Sequence, residues 1–188
     1  MPLHARIRLQ ASRSLLKLAR SANYGDLIKP NFLILAVQVQ DPCFFVRQSF
    51  IRKLTEYLRL HRLHYDFTVM LYLAAHDEDE ITALVRAQIK QLVEVSARTS
   101  DGRQRQLLVY GFVRLIHLLA HHPDYSKQPE DLLLTVKYLD FFLDIIATKD
   151  NVSLLYALAS KVKTVRDRDA DYDEVRNGLF VCYRPGPR

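Results

Sequence analysis

Residues 46–54 read VRQSFIRKL, and the same pattern of an aliphatic residue followed by arginine recurs at fixed distance on either side. Ile7-Arg8, Val46-Arg47 and Val85-Arg86 are spaced 39 and 39 residues apart. The register extends beyond these pairs, because Ala11, Phe50 and Ile89 are equivalent, as are Leu15, Leu54 and Val93. On the preceding segments Ala36 matches Ala75, and Asp41, five residues before Val46, matches Glu80, five before Val85. A fixed period of this length is the mark of a structural unit that buries its apolar face only by stacking on a copy of itself.

Within each unit apolar residues recur at three- and four-residue steps, as in Val46, Phe50, Leu54, Leu58, which is the spacing of one helix face. Turn residues separate these runs at Asn23-Tyr24-Gly25, Asp41-Pro42, His76 to Asp79, Asp101-Gly102, His122-Pro123-Asp124 and Asp167 to Asp171. The expected helices are 3–22, 30–40, 43–63, 65–76, 79–98, 104–121, 128–148, 151–166 and 171–183. The expected fold class is therefore all-α, an α-α superhelix of about nine helices in stacked antiparallel hairpins. A period near 40, an acid in the inter-helix turn and a Val-Arg pair early in the second helix make this a HEAT-like repeat solenoid. Residues 1–183 are expected to form the array and 184–188 a short tail. The chain opens in a second helix with no first-helix mate, so a fragment of a longer solenoid is expected.

Composition agrees with helices: 49% of the 188 residues are hydrophobic, with five Gly and seven Pro. The two cysteines, Cys43 and Cys182, offer no disulfide framework or paired zinc-ligand spacing. No apolar run approaches the roughly 18 residues needed to span a bilayer, and His4 and Arg6 interrupt the N-terminus too early for a signal peptide. A soluble intracellular protein with no membrane partner is the expectation. Net charge is +6, but residues 1–64 hold 11 Lys/Arg against 3 Asp/Glu, whereas residues 65–188 hold 16 against 18. That asymmetry suggests an acidic or phosphate-bearing partner near the N-terminal third.

Two sets of residues stand out. Asp41, Arg47, Glu80 and Arg86 are expected to form a structural ladder, the turn carboxylate capping the second helix and bonding an arginine of the same or a neighbouring unit. Arg13, Arg20, Arg52, Arg59 and Arg98 repeat on the second helices, with Gln91 at the position equivalent to Arg13 and Arg52. Stacking would gather them, near Arg6, Lys17, Lys53 and Arg62, into a basic strip for an acidic peptide, a phosphate-rich ligand or DNA. Aromatic residues are not interleaved with these arginines in sequence, which weighs against base stacking.

Sites of chemistry are not expected. His117 and His121 stand four apart in HLLAH without the glutamate of a metalloprotease motif or an apparent third ligand. Asp140 and Asp144 share a helix face opposite Phe141, Phe142, Ile145 and Ile146, as solvated carboxylates do. No nucleophile elbow, Gly-rich phosphate loop or Cys-His pairing is present. Catalytic residues, cofactors, metals and a small-molecule substrate are expected to be lacking.

VRQSFIRKL at 46–54, RLQASRSLLKLA at 8–19, LIHLLAHHPDY at 115–125 and LDIIATKDN at 143–151 together resemble the cohesin-associated regulators of sister chromatid cohesion, the precocious dissociation of sisters protein five family. Their order and spacing correspond to the distal part of that family's long curved solenoid. The resemblance implies a nuclear, chromosome-associated scaffold that binds the kleisin subunit of cohesin and cohesin-release factors. It implies control over how cohesin is kept on chromatin and released from it. None of these stretches is identified with a kleisin contact.

Overall fold

Leu, Ala, Arg and Lys recur along the chain, and side chains without a branch at Cβ lose little freedom in a helix. A computed structural model describes residues 1–28, 30–98, 103–123, 125 and 128–162, with Asp26 and Pro129 described by backbone only. The expected C-terminal part of helix 151–166, the helix 171–183 and the tail 184–188 lie outside the described residues. Eight α-helices occur among the described residues: α1 Leu3–Leu18, α2 Gly25–Ile28, α3 Phe32–Ala36, α4 Phe44–Arg59, α5 Asp79–Arg98, α6 Arg103–Ala120, α7 Pro129–Ile146 and α8 Val152–Val162. Three 3₁₀ segments join them, at Ala22–Tyr24, Val37–Gln40 and Tyr65–His76.

The helices form two layers. α3 with its 3₁₀ continuation, the 3₁₀ helix 65–76, α6 and α8 follow one another in the first layer, and α1, α4, α5 and α7 in the second. Three antiparallel hairpins result: residues 32–40 with α4, 65–76 with α5, and α6 with α7. The solenoid expectation thus holds through α8, although the 39-residue register ends after α5 because α6 and α7 differ in length from their counterparts.

Residues 65–76 were expected as an α-helix and are a twelve-residue 3₁₀ helix instead. Tyr65 and every residue from Phe67 to Ala74 are buried, so neighbours surround the segment, and a run buried this completely has no continuous polar face to impose a 3.6-residue period. At about 2.0 Å per residue it reaches about 24 Å, the length of sixteen α-helical residues at about 1.5 Å each. Twelve residues therefore span the layer beside the sixteen of α4.

α4 stops four residues earlier than expected. His61 takes a left-handed backbone (φ 52°), Arg62 N donates to Tyr57 O at 2.8 Å and His61 N to Leu58 O at 3.0 Å. These two bonds are the Schellman closure, here with His where Gly is the commoner residue. At the other end of the array Pro129 opens α7, followed by Glu130 and Asp131, which suit the positive end of the helix dipole.

Repeat equivalence is visible in burial. Val46 and Val85 are both 0% exposed, as are Phe50 and Ile89 one turn on. Ile7, the third member of the series, is 57% exposed. α1 buries Ala5, Leu9, Ser12 and Leu16 instead. The rotation has a simple cause: α1 packs on α4 at one side, and no second-layer helix lies on its other side among the described residues. Between the layers of the later hairpins, Phe142 packs against Tyr72 (ring centres 4.8 Å) and Phe112 (5.7 Å), with Phe141 against Tyr72 at 6.3 Å.

Candidate functional site

The turns before the second-layer helices carry the charged ladder. Asp41 sits after the 3₁₀ turn 37–40, and its Oδ1 accepts from the Cys43 amide at 2.8 Å, which shapes the entry into α4. Arg8, on α1 of the preceding unit, meets the same carboxylate with two prongs: Nε donates to Oδ2 at 2.6 Å and Nη2 to Oδ1 at 2.9 Å. Arg47 then donates from Nη1 to the Asp41 carbonyl at 3.0 Å, so one aspartate ties α1, the turn and α4 together. Burial by itself raises the pKa of Asp41, but the Arg8 hydrogen bond, the Cys43 amide and the charges of Arg8 and Arg47 outweigh it and leave it below the usual carboxylate range. The bond to Asp41 in turn raises the pKa of Arg8.

The next rung uses a different acid and a single prong. Arg47 Nη2 donates to Asp77 Oδ1 at 2.9 Å and to Glu78 Oε1 at 3.1 Å, while its Nε lies 2.7 Å from Asp77 Oδ2 as an ion pair without hydrogen-bond geometry. Glu80, the residue expected here from the 39-residue spacing, accepts instead from Gln48 Nε2 at 3.0 Å. The turn before α5 is built differently from the turn before α4: Asp77 Oδ1 accepts from the Glu78 amide at 2.7 Å, placing the carboxylate three residues earlier. Arg86, the third arginine of the series, lies over the Phe141 ring at 4.8 Å and approaches Asp144 at 3.6 Å, both on α7. The rung therefore continues from unit to unit, but its third step is an exposed contact.

The arginines of the expected basic strip occupy several settings. Arg52 and Arg59 are exposed and lie seven residues apart on one face of α4, and Arg98 is exposed at the end of α5. Arg13 is half-buried on α1, with its Nε buried and without a hydrogen-bond partner among the described residues. Arg20 reaches across to α4 and lies 4.9 Å over the ring of Tyr57. Lys53 places its ammonium 4.6 Å from the same ring and pairs with Glu56 at 2.9 Å. Tyr57 thus lies between two cations, but its ring is buried at 3% exposure and offers no face on which a base could stack. Its place on the buried face of α4 hides this in the sequence, because the heptad position reads as core.

The other stretches singled out in sequence are separate from this face. The rings of His117 on α6 and His121 just after it lie 4.6 Å apart. Among the described residues no group of three or more His, Cys, Asp or Glu is placed to hold a metal ion. Among them, too, no helix is long and apolar enough to cross a membrane. Asp140 is exposed, and Asp144 is the acid that faces Arg86. One polar network was missed: Gln40 donates from Nε2 to Leu73 O (3.1 Å) and to Tyr138 Oη (2.8 Å), and its Oε1 lies 2.7 Å from His122 Nε2. It joins three hairpins across 98 residues of sequence, a distance at which spacing carries no signal.

Comparison with known proteins places this geometry in context. A family model described as Sister chromatid cohesion protein PDS5 matches residues 2–181. The sister chromatid cohesion protein pds5 of Schizosaccharomyces pombe is 31% identical over 182 residues, covering 95% of this chain and 14% of that protein. The corresponding protein PDS5 of Saccharomyces cerevisiae is 28% identical over 172 residues, covering 87% of this chain and 13% of its own length. The human PDS5 homolog A is 29% identical over 197 residues, with 95% and 14% covered. The chain spans about one seventh of the length of these curated relatives.

Proposed function

The chain belongs to the sister chromatid cohesion PDS5 family, and from that membership we propose that it is a non-enzymatic HEAT-repeat scaffold acting in sister chromatid cohesion. In this reading it binds cohesin through the kleisin subunit, together with cohesin-release factors, on chromosomes in the nucleus. It thereby helps to set how long cohesin stays on chromatin. The observation that carries the reading is a surface built to keep its shape. Two arginine–aspartate rungs, the first of them bidentate, join successive units, and the exposed Arg52 and Arg59 stand on the helix between them. An array whose units hold their rotation presents side chains at set spacing to an extended partner, which lowers the ordering cost of binding.

A second reading, direct binding of DNA or another phosphate-rich ligand, is favoured by the +8 charge of residues 1–64 and by the exposed Arg52 and Arg59 on one face of α4. One experiment separates the two. Binding of the chain to cohesin and to duplex DNA is measured from low to moderate salt, with and without Arg52→Glu/Arg59→Glu. Cohesin binding that survives salt and weakens in the variant supports the scaffold. A steep loss of DNA affinity with salt that flattens in the variant supports the second reading. Unchanged binding of both partners removes the arginine face from either.

A further inference from the structure

α1 contains no acidic residue, and the first Asp or Glu of the chain is Asp26. Arg8 is taken up by Asp41. Arg20, just past the end of α1, reaches across to the Tyr57 ring on α4, which identifies the side of α1 that faces the furrow between the two helices. Arg13 lies seven residues before Arg20 and Arg6 seven before that, so the three stand in one line along α1 that drifts by only about 20° per step. From the opposite wall Lys53 leans over the same ring and pairs with Glu56 at 2.9 Å.

Little of this charge is answered within the chain. Arg6, Arg13, Arg20 and Lys53 line the furrow against one acid, Glu56, and Lys53 already holds it. Arg13 buries its Nε without a hydrogen-bond partner among the described residues, a costly state for a guanidinium. Arg6 and Arg20 are exposed and form no ion pair among the described residues. The group that these arginines lack is an acceptor from outside the chain. Their spacing specifies its form: seven helical residues advance about 10.5 Å, and one turn of a polyproline II chain, three residues at about 3.1 Å each, advances about 9.3 Å on one side. Arginine side chains take up the difference of about 1 Å by changing rotamer.

We propose that the furrow between α1 and α4 binds an extended acidic peptide whose carboxylates recur at every third residue, each meeting one of Arg6, Arg13 and Arg20 through the forked donors of its guanidinium. The inference deepens the scaffold reading and rests on it in taking the partner to be a protein segment. The furrow offers charge and no open apolar floor, because Arg20 and Lys53 lie over Tyr57, whose exposure is 3%. It therefore suits a chain whose backbone stays solvated, and not a helix that must bury an apolar face. A nucleic-acid strand fits less well: it carries a charge about every 3.4 Å, about three for each arginine, and the surplus would face Glu56.

The test titrates the native full chain into two fluorescein-labelled peptides of equal composition, read by fluorescence anisotropy. One has three Glu-Pro-Pro repeats, and the other has its three glutamates contiguous. The repeat peptide is expected to bind about fivefold tighter, since its charges are already set at the spacing of the arginines. Arg13→Gln/Arg20→Gln is expected to weaken it about tenfold, while Arg98→Gln at the end of α5 leaves it unchanged. Equal affinity for the two peptides overturns the proposal, as does unchanged affinity in the double variant or displacement of the repeat peptide by duplex DNA at equal charge. The peptide pair needs no substitution, so that comparison decides even where the double variant fails to fold. Cohesin binding by a chain that does not distinguish the peptides would sink the furrow and leave the scaffold reading standing. A peptide preference without cohesin binding would do the reverse.

Discussion

The joint between α1 and α4 and the joint between α5 and α7 occupy equivalent places in the array and are held by different forces. At the first, Arg8 and Arg47 converge on Asp41, whose side chain is 2% exposed, with bonds of 2.6, 2.9 and 3.0 Å. At the second, Arg86 meets Asp144, whose side chain is 66% exposed, at 3.6 Å, and the contact rests on the Phe141 ring beneath it. Around that later joint the aromatic cluster of Tyr72, Phe112, Phe141 and Phe142 supplies the packing. Directional bonds set rotation between units, whereas aromatic packing sets separation and tolerates slip. The comparison teaches that a solenoid keeps a strict sequence period only where a directional rung demands it, and here the period lapses where the rung becomes exposed.

The aromatic half should break first and hardest. Phe142 is fully buried between Tyr72 and Phe112, and Phe142→Ala is expected to lower stability by about 3–5 kcal/mol, the range for a buried aromatic that leaves a cavity. Urea unfolding followed by circular dichroism reads it. A loss under about 1 kcal/mol would place the packing of the later hairpins elsewhere.

Asp41→Asn tests the other half. It keeps the shape of the side chain but removes the charge that Arg8 and Arg47 face, and about 2 kcal/mol is expected. The value stays below that of a fully buried pair because water reaches the Arg8 side. The pH dependence follows in sign. A carboxylate with a depressed native pKa contributes its stability above the unfolded value, near 3.9, and loses it as pH falls through the native one. The unfolding midpoint of the native chain should therefore drop more steeply below about pH 4 than that of Asp41→Asn, and parallel curves would refute the role of Asp41.

What the sequence makes legible follows the same division. Val46 and Val85 share an environment because each stands one unit from the next along α4 and α5, and the 39-residue spacing finds them. Ile7 has the right spacing and the wrong exposure, since a period describes equivalence among units and not whether a neighbour covers the helix. Glu80 was expected where Asp77 acts, because a turn that begins differently moves its carboxylate by three residues without disturbing the helices on either side. The 3₁₀ form of residues 65–76 left no trace in the pattern: a segment buried all round has no polar face from which to read a pitch. Tyr57 escaped because its position on the core face of α4 conceals the two cations that meet its ring.

Tyr72 sharpens the comparison from inside the aromatic cluster. Its ring is 1% exposed and its hydroxyl has no hydrogen-bond partner among the described residues, while burial raises its pKa far above that of a free phenol. Tyr72→Phe keeps the ring contacts and removes an unpaired polar group, so a gain of about 1 kcal/mol is expected by the same urea titration. A loss would reveal a bond to the hydroxyl and make the cluster partly directional.

The smallest effect is the most discriminating. Asp144→Ala removes the acid of the third rung, and because that pair is long and open to water, less than about 0.5 kcal/mol is expected. Arg86→Ala should cost more than Asp144→Ala even though both delete the same ion pair, since the arginine also covers the Phe141 ring. The inequality should persist at high salt, where exposed charges are screened and the ring contact is not. Equal losses that vanish together in salt would make the rung purely ionic. A loss above about 1 kcal/mol for Asp144→Ala would mean that it holds α5 to α7 much as Asp41 holds α1 to α4, and the contrast between an ion-paired and an aromatic half would fail.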